Sequence, residues 1–227
     1  MIKSVNDLHG TAIEATDGHI GAIHDVYFDD QAGNIRYFVV DTAKWLPGRK
    51  VLIPPEAIVR PWVDGTGLPV NLTREQVRSS PDIDTQRPVS RDAELLLYSH
   101  YNWAPYWPEA VLPPPPPQFA SSIEEKREAE ATAEHMRSSH LRSCREVMGY
   151  QVHGTDGKAG TLDDILIDPE ESRIRYFVVK TGEWPFHKQV LVSPDRIGDV
   201  NWAESKIDAN ISRHEIETGP AYKSLIA

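Results

Sequence analysis

Adjacent aspartates occur twice in this sequence, at Asp29-Asp30 and Asp163-Asp164, and clustered carboxylate oxygens are what a divalent-cation site needs. On a β-strand, consecutive side chains point to opposite faces, so neither pair is expected to converge on one ion. The nine histidines show no metal-ligand spacing. Cys144, the single cysteine, excludes an intramolecular disulfide. No glycine-rich phosphate loop, Gly-x-Ser-x-Gly elbow or paired-cysteine motif is present. These residue types therefore predict no catalytic group, no cofactor and no metal.

The elements that would position such residues occur twice. A constant offset of 139 aligns residues 2–81 with 141–220 without a gap, and 23 of the 80 pairs are identical, which means two copies of one domain. The densest match is Ile35-Arg36-Tyr37-Phe38-Val39-Val40 against Ile174-Arg175-Tyr176-Phe177-Val178-Val179. Asp17-Gly18 matches Asp156-Gly157, Gly21 matches Gly160, Asp25 matches Asp164, Asp29 matches Asp168 and Trp45 matches Trp184. His19, His24 and His153 face Lys158, Asp163 and Glu14 across the match, a freedom that metal ligands do not have. Cys144 faces Val5, so its slot is apolar and buried rather than nucleophilic. Charged or glycine positions kept in both copies read as parts of the fold. Asp17, Asp156, Asp25 and Asp164 are expected in turns and backbone hydrogen bonds. Arg36 and Arg175 are expected to pair with Asp25 and Asp164 or with Asp29 and Asp168.

Each copy reads as β-rich. In the first, Asp17-Gly18 is a hairpin signal between residues 12–15 and 19–28, and 29–34 is a turn cluster. Residues 35–42 form a β-branched and aromatic strand, and 50–53 a short one ended by Pro54-Pro55. Thr73 with Gln76, and Ser212 with Glu215, have the spacing of a helix start. Strands this close, with no room for a crossover helix, predict a small barrel rather than a parallel α/β sheet. The expected fold class is mainly β: two small barrels with short terminal helices, at 1–84 and 141–227.

Residues 85–140 do not repeat. Ser90 is placed to cap a short helix ending near Tyr98, and the aromatic run Tyr101, Trp103, Tyr106 and Trp107 follows. The five prolines 113–117 predict a stiff spacer of roughly 15 Å, and residues 122–137 a highly charged helix. The aromatics are too many for a free linker in water. Two readings stand: they pack on a barrel and tie the domains together, or they form a docking strip for a partner. Trp45 and Trp184 carry the same pair of readings, as barrel-end plugs or as docking residues.

The 227 residues carry a net charge of −10 with no basic segment, which disfavours direct nucleic-acid binding and anionic membrane surfaces. No apolar run approaches the ~20 residues of a membrane helix, so no integral membrane segment is expected. A lone cysteine and no signal-peptide pattern fit a cytoplasmic protein.

In order and spacing, both copies resemble the PRC-barrel family. The resemblance rests on an Asp-Gly turn, a glycine shortly after it, an apolar strand ending in Asp, the Arg-Tyr-Phe-Val-Val strand, and a Val-Leu-(Ile/Val) segment ending near proline. The family includes the cytoplasmic domain of the photosynthetic reaction centre H subunit and the C-terminal domain of a ribosome maturation factor. The resemblance implies a six-stranded barrel used for docking rather than catalysis. The H subunit's membrane helix and the maturation factor's other barrel have no counterpart in this chain. The resulting expectation is a non-catalytic tandem-barrel adaptor with a protein partner. Alternatives are an H-subunit-like accessory of membrane electron transfer, peripherally attached, and a ribosome-assembly factor binding a ribosomal protein. The two barrels pair within one chain, or each pairs with another chain.

Overall fold

The computed structural model describes residues 2–42, 45–46, 48–62, 67–81, 89–107, 141–182 and 187–224. The chain forms two compact units, Met1–Arg74 together with Leu141–Ala227, and Glu75–His140.

The first unit holds copy two and, as far as Arg74 in α2, copy one. In copy one, β1 (Lys3–Ser4) leads into a one-turn helix, α1 (Val5–Leu8). Then come β2 (Ala12–Ala15), β3 (Gly18–Asp29), β4 (Ile35–Asp41), β5 (Lys50–Ile53), a 3-10 turn at Pro55–Ala57, β6 (Leu68–Pro69) and α2 (Arg74–Arg78). Copy two repeats the plan: β7 (Leu141–Ser143), α4 (Cys144–Val147), β8 (Gln151–Gly154), β9 (Gly157–Asp168), β10 (Arg173–Thr181) and β11 (Lys188–Val192). It adds a hairpin, β12 (Ile197–Asn201) with β13 (Lys206–Ala209), before α5 (Arg213–Glu217). α3 (Arg91–Tyr101) belongs to the second unit. The fold is mainly β, as the sequence predicts. The Asp-Gly hairpins, the shared Tyr-Phe strands and β5 fall where residue type places them. Ser212 and Glu215 form a complete capping box on α5.

Sheet order is β5-β4-β3-β2-β6 in copy one and β11-β10-β9-β8-β13-β12 in copy two. Each sheet takes one further strand from the other copy. β1 pairs antiparallel with β9, Lys3 opposite Ile167 and Ser4 opposite Leu166. β7 pairs antiparallel with β3, Tyr27 opposite Ser143 and Asp29 opposite Leu141. The hairpin tips also join: Ile35 N–H donates to the Ser172 carbonyl at 2.8 Å, and Ile174 N–H to the Gly33 carbonyl at 2.9 Å. The exchanged strands pair the ends of β3 and β9 that run past β2 and β8, so those segments do not present unpaired backbone.

Because both faces of β3, β4, β9 and β10 are covered, their sequences run nearly continuously apolar instead of alternating cleanly. Ile13, Ile20, Val26, Tyr37, Val40 and Ile53 are fully buried in copy one, as are Val152, Ile165, Ile167, Val178 and Val179 in copy two. Each such aliphatic side chain stabilises the fold by roughly 1.5–3 kcal/mol. Ile2, just before the exchanged β1, packs on the buried Leu166, Val178 and Leu191 beside Tyr176 and Tyr222. The exchange therefore buries apolar surface as well as pairing backbone.

Among the described residues, no helix is long and apolar enough to cross a membrane.

Candidate functional site

The paired positions show what the duplicated polar residues do. Asp25 and Asp164 lie mid-strand, not at a turn. Ser143 caps α4 by accepting from Glu146 N–H at 2.9 Å, and its hydroxyl donates to Asp25 Oδ2 at 2.5 Å. Arg145 N–H donates to Asp25 Oδ1 at 3.1 Å. Crosswise, Ser4 caps α1 and donates to Asp164, whose Oδ1 also accepts from Asn6 N–H at 3.2 Å. Each aspartate thus anchors the first turn of the other copy's leading helix. Each also accepts from the next backbone amide of its own strand, Val26 at 2.7 Å and Ile165 at 2.8 Å. Ser4 and Ser143 were missed by sequence reasoning, although they are identical at the repeat offset, and small capping residues kept in both copies were the available signal.

Asp17 and Asp156 accept the first helical amides of α2 and α5, Arg74 at 2.7 Å and Arg213 at 2.5 Å. Gly18 and Gly157 turn the hairpins at φ of +134°. Gly21 and Gly160 let β3 and β9 pass close to the carbonyls of Asp41 and Lys180. Arg36 pairs with Asp29 at 3.1 Å, and Arg175 with Asp168 at 3.0 Å. Tyr37 is buried, and Tyr176 is half-buried on the cluster that holds Ile2. Trp45 is half-buried: its indole N–H donates to the Ile20 carbonyl at 2.5 Å, and the Arg74 guanidinium lies 4.8 Å from its ring centre. Trp184 lies outside the described residues, as do the proline run 113–117 and the charged segment 122–137.

The connector aromatics form a cluster of their own in the second unit. α3 begins at Ser90, which accepts from Ala93 N–H, and ends at Asn102 in a left-handed cap at φ of +55°. The chain after the cap turns back on the helix. Trp107 lies edge-on to Tyr98 at 5.7 Å and Tyr106 lies 6.2 Å from it, while Trp103 stacks on Tyr101 at 4.4 Å. At the centre, fully buried Glu94 pairs with Arg91 at 3.1 Å and accepts from the Tyr106 hydroxyl at 3.1 Å. The Arg91 guanidinium sits 4.4 Å from the Trp107 ring. Tyr106 and Trp107 are thus structural parts of this cluster. Leu96 stays 62% exposed on α3, with Tyr101 and Trp103 half-buried beside it in sequence.

Glu94→Ala strands Arg91 among aromatic rings. Removing one member of a buried pair is strongly destabilising, and the retained ring contacts of Arg91 place this case at about 3 kcal/mol. Near-UV circular dichroism of the tyrosines and tryptophans during urea unfolding measures it.

Cys144 is fully buried in α4, and burial pushes its thiol well above the ordinary value. Among the described residues, no group of three or more His, Cys, Asp or Glu side chains is arranged to hold a metal ion.

Two sheets of short strands, closed by exchanged edges and held by matched Asp-Gly, Arg-Tyr-Phe and capping positions, define a duplicated small-barrel protein. The PRC-barrel domain matches residues 2–65 and 140–213, more than half of the chain, and the protein belongs to that family. It is similar to a protein of Deinococcus radiodurans described as uncharacterized, at 48% identity over 46 residues. That stretch is 20% of this chain, and the chain covers 17% of the relative's length.

Proposed function

We propose that this PRC-barrel protein is a non-catalytic adaptor: the paired barrels are the scaffold, and the connector helix α3 is the element that takes a protein partner. The observation that carries this reading is the division of labour between the two units. Both capping aspartates, both Arg-Asp pairs and Trp45 are engaged in holding the duplicated fold. Exposed Leu96, with the Tyr101–Trp103 stack, sits on a helix fixed by its own aromatic cluster. A large apolar side chain at the surface of a pre-ordered helix is what a partner's apolar groove requires, and ordering it beforehand lowers the entropic cost of binding.

Affinity capture with the full chain tests this, followed by Leu96→Glu and Trp103→Ala. Trp202→Ala is the control, because Trp202 is 53% exposed on copy two. A specific partner should be lost with either connector change while circular dichroism stays native, and kept with the control. A partner retained by both connector variants, or lost equally with Trp202→Ala, contradicts the assignment.

A further inference from the structure

The two copies share a β-bulge that they fill differently. Pairing of β3 with β4 skips His24, between Ile23 and Asp25, and pairing of β9 with β10 skips Asp163, between Leu162 and Asp164. A bulge re-aims the skipped side chain. In copy two, Asp163 accepts from Gln189 Nε2 at 2.5 Å. The same two positions in copy one hold His24 and Lys50, with Lys50 Nζ 2.9 Å from His24 Nε2. From the other side, Arg145 of α4 brings Nη1 to 3.4 Å from His24 Nδ1 and 3.5 Å from His9 Nε2. The His9 and His24 rings lie 6.0 Å apart.

Two permanent cations therefore flank one imidazole. Among the described residues, no carboxylate forms an ion pair with Lys50 or with the Arg145 guanidinium. The adjacent Asp25 carboxylate is occupied by Ser143 and by the amides of Arg145 and Val26. The fold does not demand this charge: the positions of His9, His24, Lys50 and Arg145 are Met148, Asp163, Gln189 and Asn6 in the other set. Beside the cluster lies a cavity of about 260 Å³, lined by His9, His24 and Arg145, by Asn6 and Asp25, and by apolar Val5, Ile23, Val26 and Met148.

We propose that this cavity binds a small organic anion, with its oxyanion headgroup at Arg145, His9 and His24 and its apolar body against Val5, Ile23 and Met148. Among the described residues, the Arg145 guanidinium has no carboxylate paired with it, the one carboxylate of the lining, Asp25, being held by its serine and amide donors, and the planar guanidinium fork suits a phosphate or carboxylate. The volume lies below the ~300–1,000 Å³ of sites for drug-sized ligands, so the anion is small. Burial, then Lys50 and Arg145, push the His24 imidazole below its ordinary value, with Asp25 and Asp41 acting the other way. A bound anion adds to the latter, so binding takes up protons and tightens as pH falls.

Calorimetric titration of the full chain with phenyl phosphate, benzoate and inorganic phosphate, at about one pH unit either side of the ordinary imidazole value near 6.5, tests this. Variants Arg145→Asn and His24→Asp/Lys50→Gln carry the other copy's residues, which the same fold already accommodates. Saturable one-to-one binding of phenyl phosphate or benzoate is expected, tighter at the lower pH and weakened at least about tenfold in both variants, ~1.4 kcal/mol. The preferred headgroup distinguishes a phosphate ester from a carboxylate. Absence of saturable binding by all three probes, or retention of affinity in both variants, overturns the proposal.

Discussion

Gly21→Ala is expected to lower the unfolding free energy by about 3–5 kcal/mol, and Gly160→Ala by a similar amount. A Cβ at Gly21 would stand 2.1 Å from the Asp41 carbonyl oxygen and 3.1 Å from Val40 Cγ1, and at Gly160 2.3 Å from the Lys180 carbonyl oxygen. The obstacle is backbone of the neighbouring strand, which cannot move aside as a flexible side chain would. It is also the strand that carries the shared Tyr-Phe-Val-Val core. At Gly21 the φ of +151° adds backbone strain. Gly157→Ala supplies the contrast. It has φ of +134° but nothing within 4 Å of the added carbon, so its cost is about 1–2 kcal/mol. Urea midpoints of the three variants measure the difference. Equal losses at Gly157 and Gly160 would contradict the close approach of β9 to β10.

The second large effect is expected from Asp25→Ala combined with Asp164→Ala. Each change leaves a serine hydroxyl and two backbone amides without their acceptor, one hydroxyl and one amide belonging to the other copy. At roughly 1–3 kcal/mol for each buried group left unsatisfied, discounted for partial exposure of the amides, the double variant should lose about 4–6 kcal/mol. Asp25→Asn/Asp164→Asn keeps an acceptor oxygen and removes one half-buried and one buried charge, so it should lose much less.

The pH dependence has a definite sign. Burial raises both carboxyls above the ordinary value, against the lowering pull of their serine and amide donors. The folded protein therefore holds these protons more tightly than the unfolded chain. Their contribution to stability grows as pH falls from the raised folded value toward 3.8, and shrinks as pH rises through that window. Asp168 has the opposite sign. The upward push of its burial is outweighed by the Arg175 hydrogen bond and the amides of Glu171 and Glu170, so its contribution is lost as pH falls through its lowered folded value. Arg175→Gln should accordingly be less stable than the wild type at neutral pH but lose less stability on acidification, because its Asp168 no longer has that partner.

The strands were legible because their signals are local. Asp17-Gly18 and Asp156-Gly157 demand hairpins, and the four consecutive aromatic and β-branched residues Tyr37–Val40 and Tyr176–Val179 have few other homes. The exchange of leading strands was not legible. Lys3–Ser4 and Leu141–Ser143 are too short to carry a period, and what fixes them is an aspartate about 120 residues away in one direction and 160 in the other. The arginine partners were narrowed to two choices; Asp25 and Asp164 are taken by the other copy's serine and amide, and Arg36 and Arg175, skipped in the strand pairing, meet Asp29 and Asp168. In the connector, the aromatic count showed that the segment was no free linker. The Arg91–Glu94 pair reads in sequence as an ordinary solvated pair one helical turn apart, because only the fold-back of Tyr106 and Trp107 makes it buried. The basic cluster around His24 was hidden for a related reason: its members come from the residue that ends α1 and from β3, β5 and α4, and share no spacing.

Amide hydrogen exchange at Asn6 and Arg145 tests the crosswise anchoring most directly. Asp164→Ala should deprotect Asn6, in the other copy, and leave Arg145 protected, while Asp25→Ala should do the reverse. Deprotection confined to the copy that carries the substitution would show that each barrel closes on itself, and would contradict the exchanged architecture.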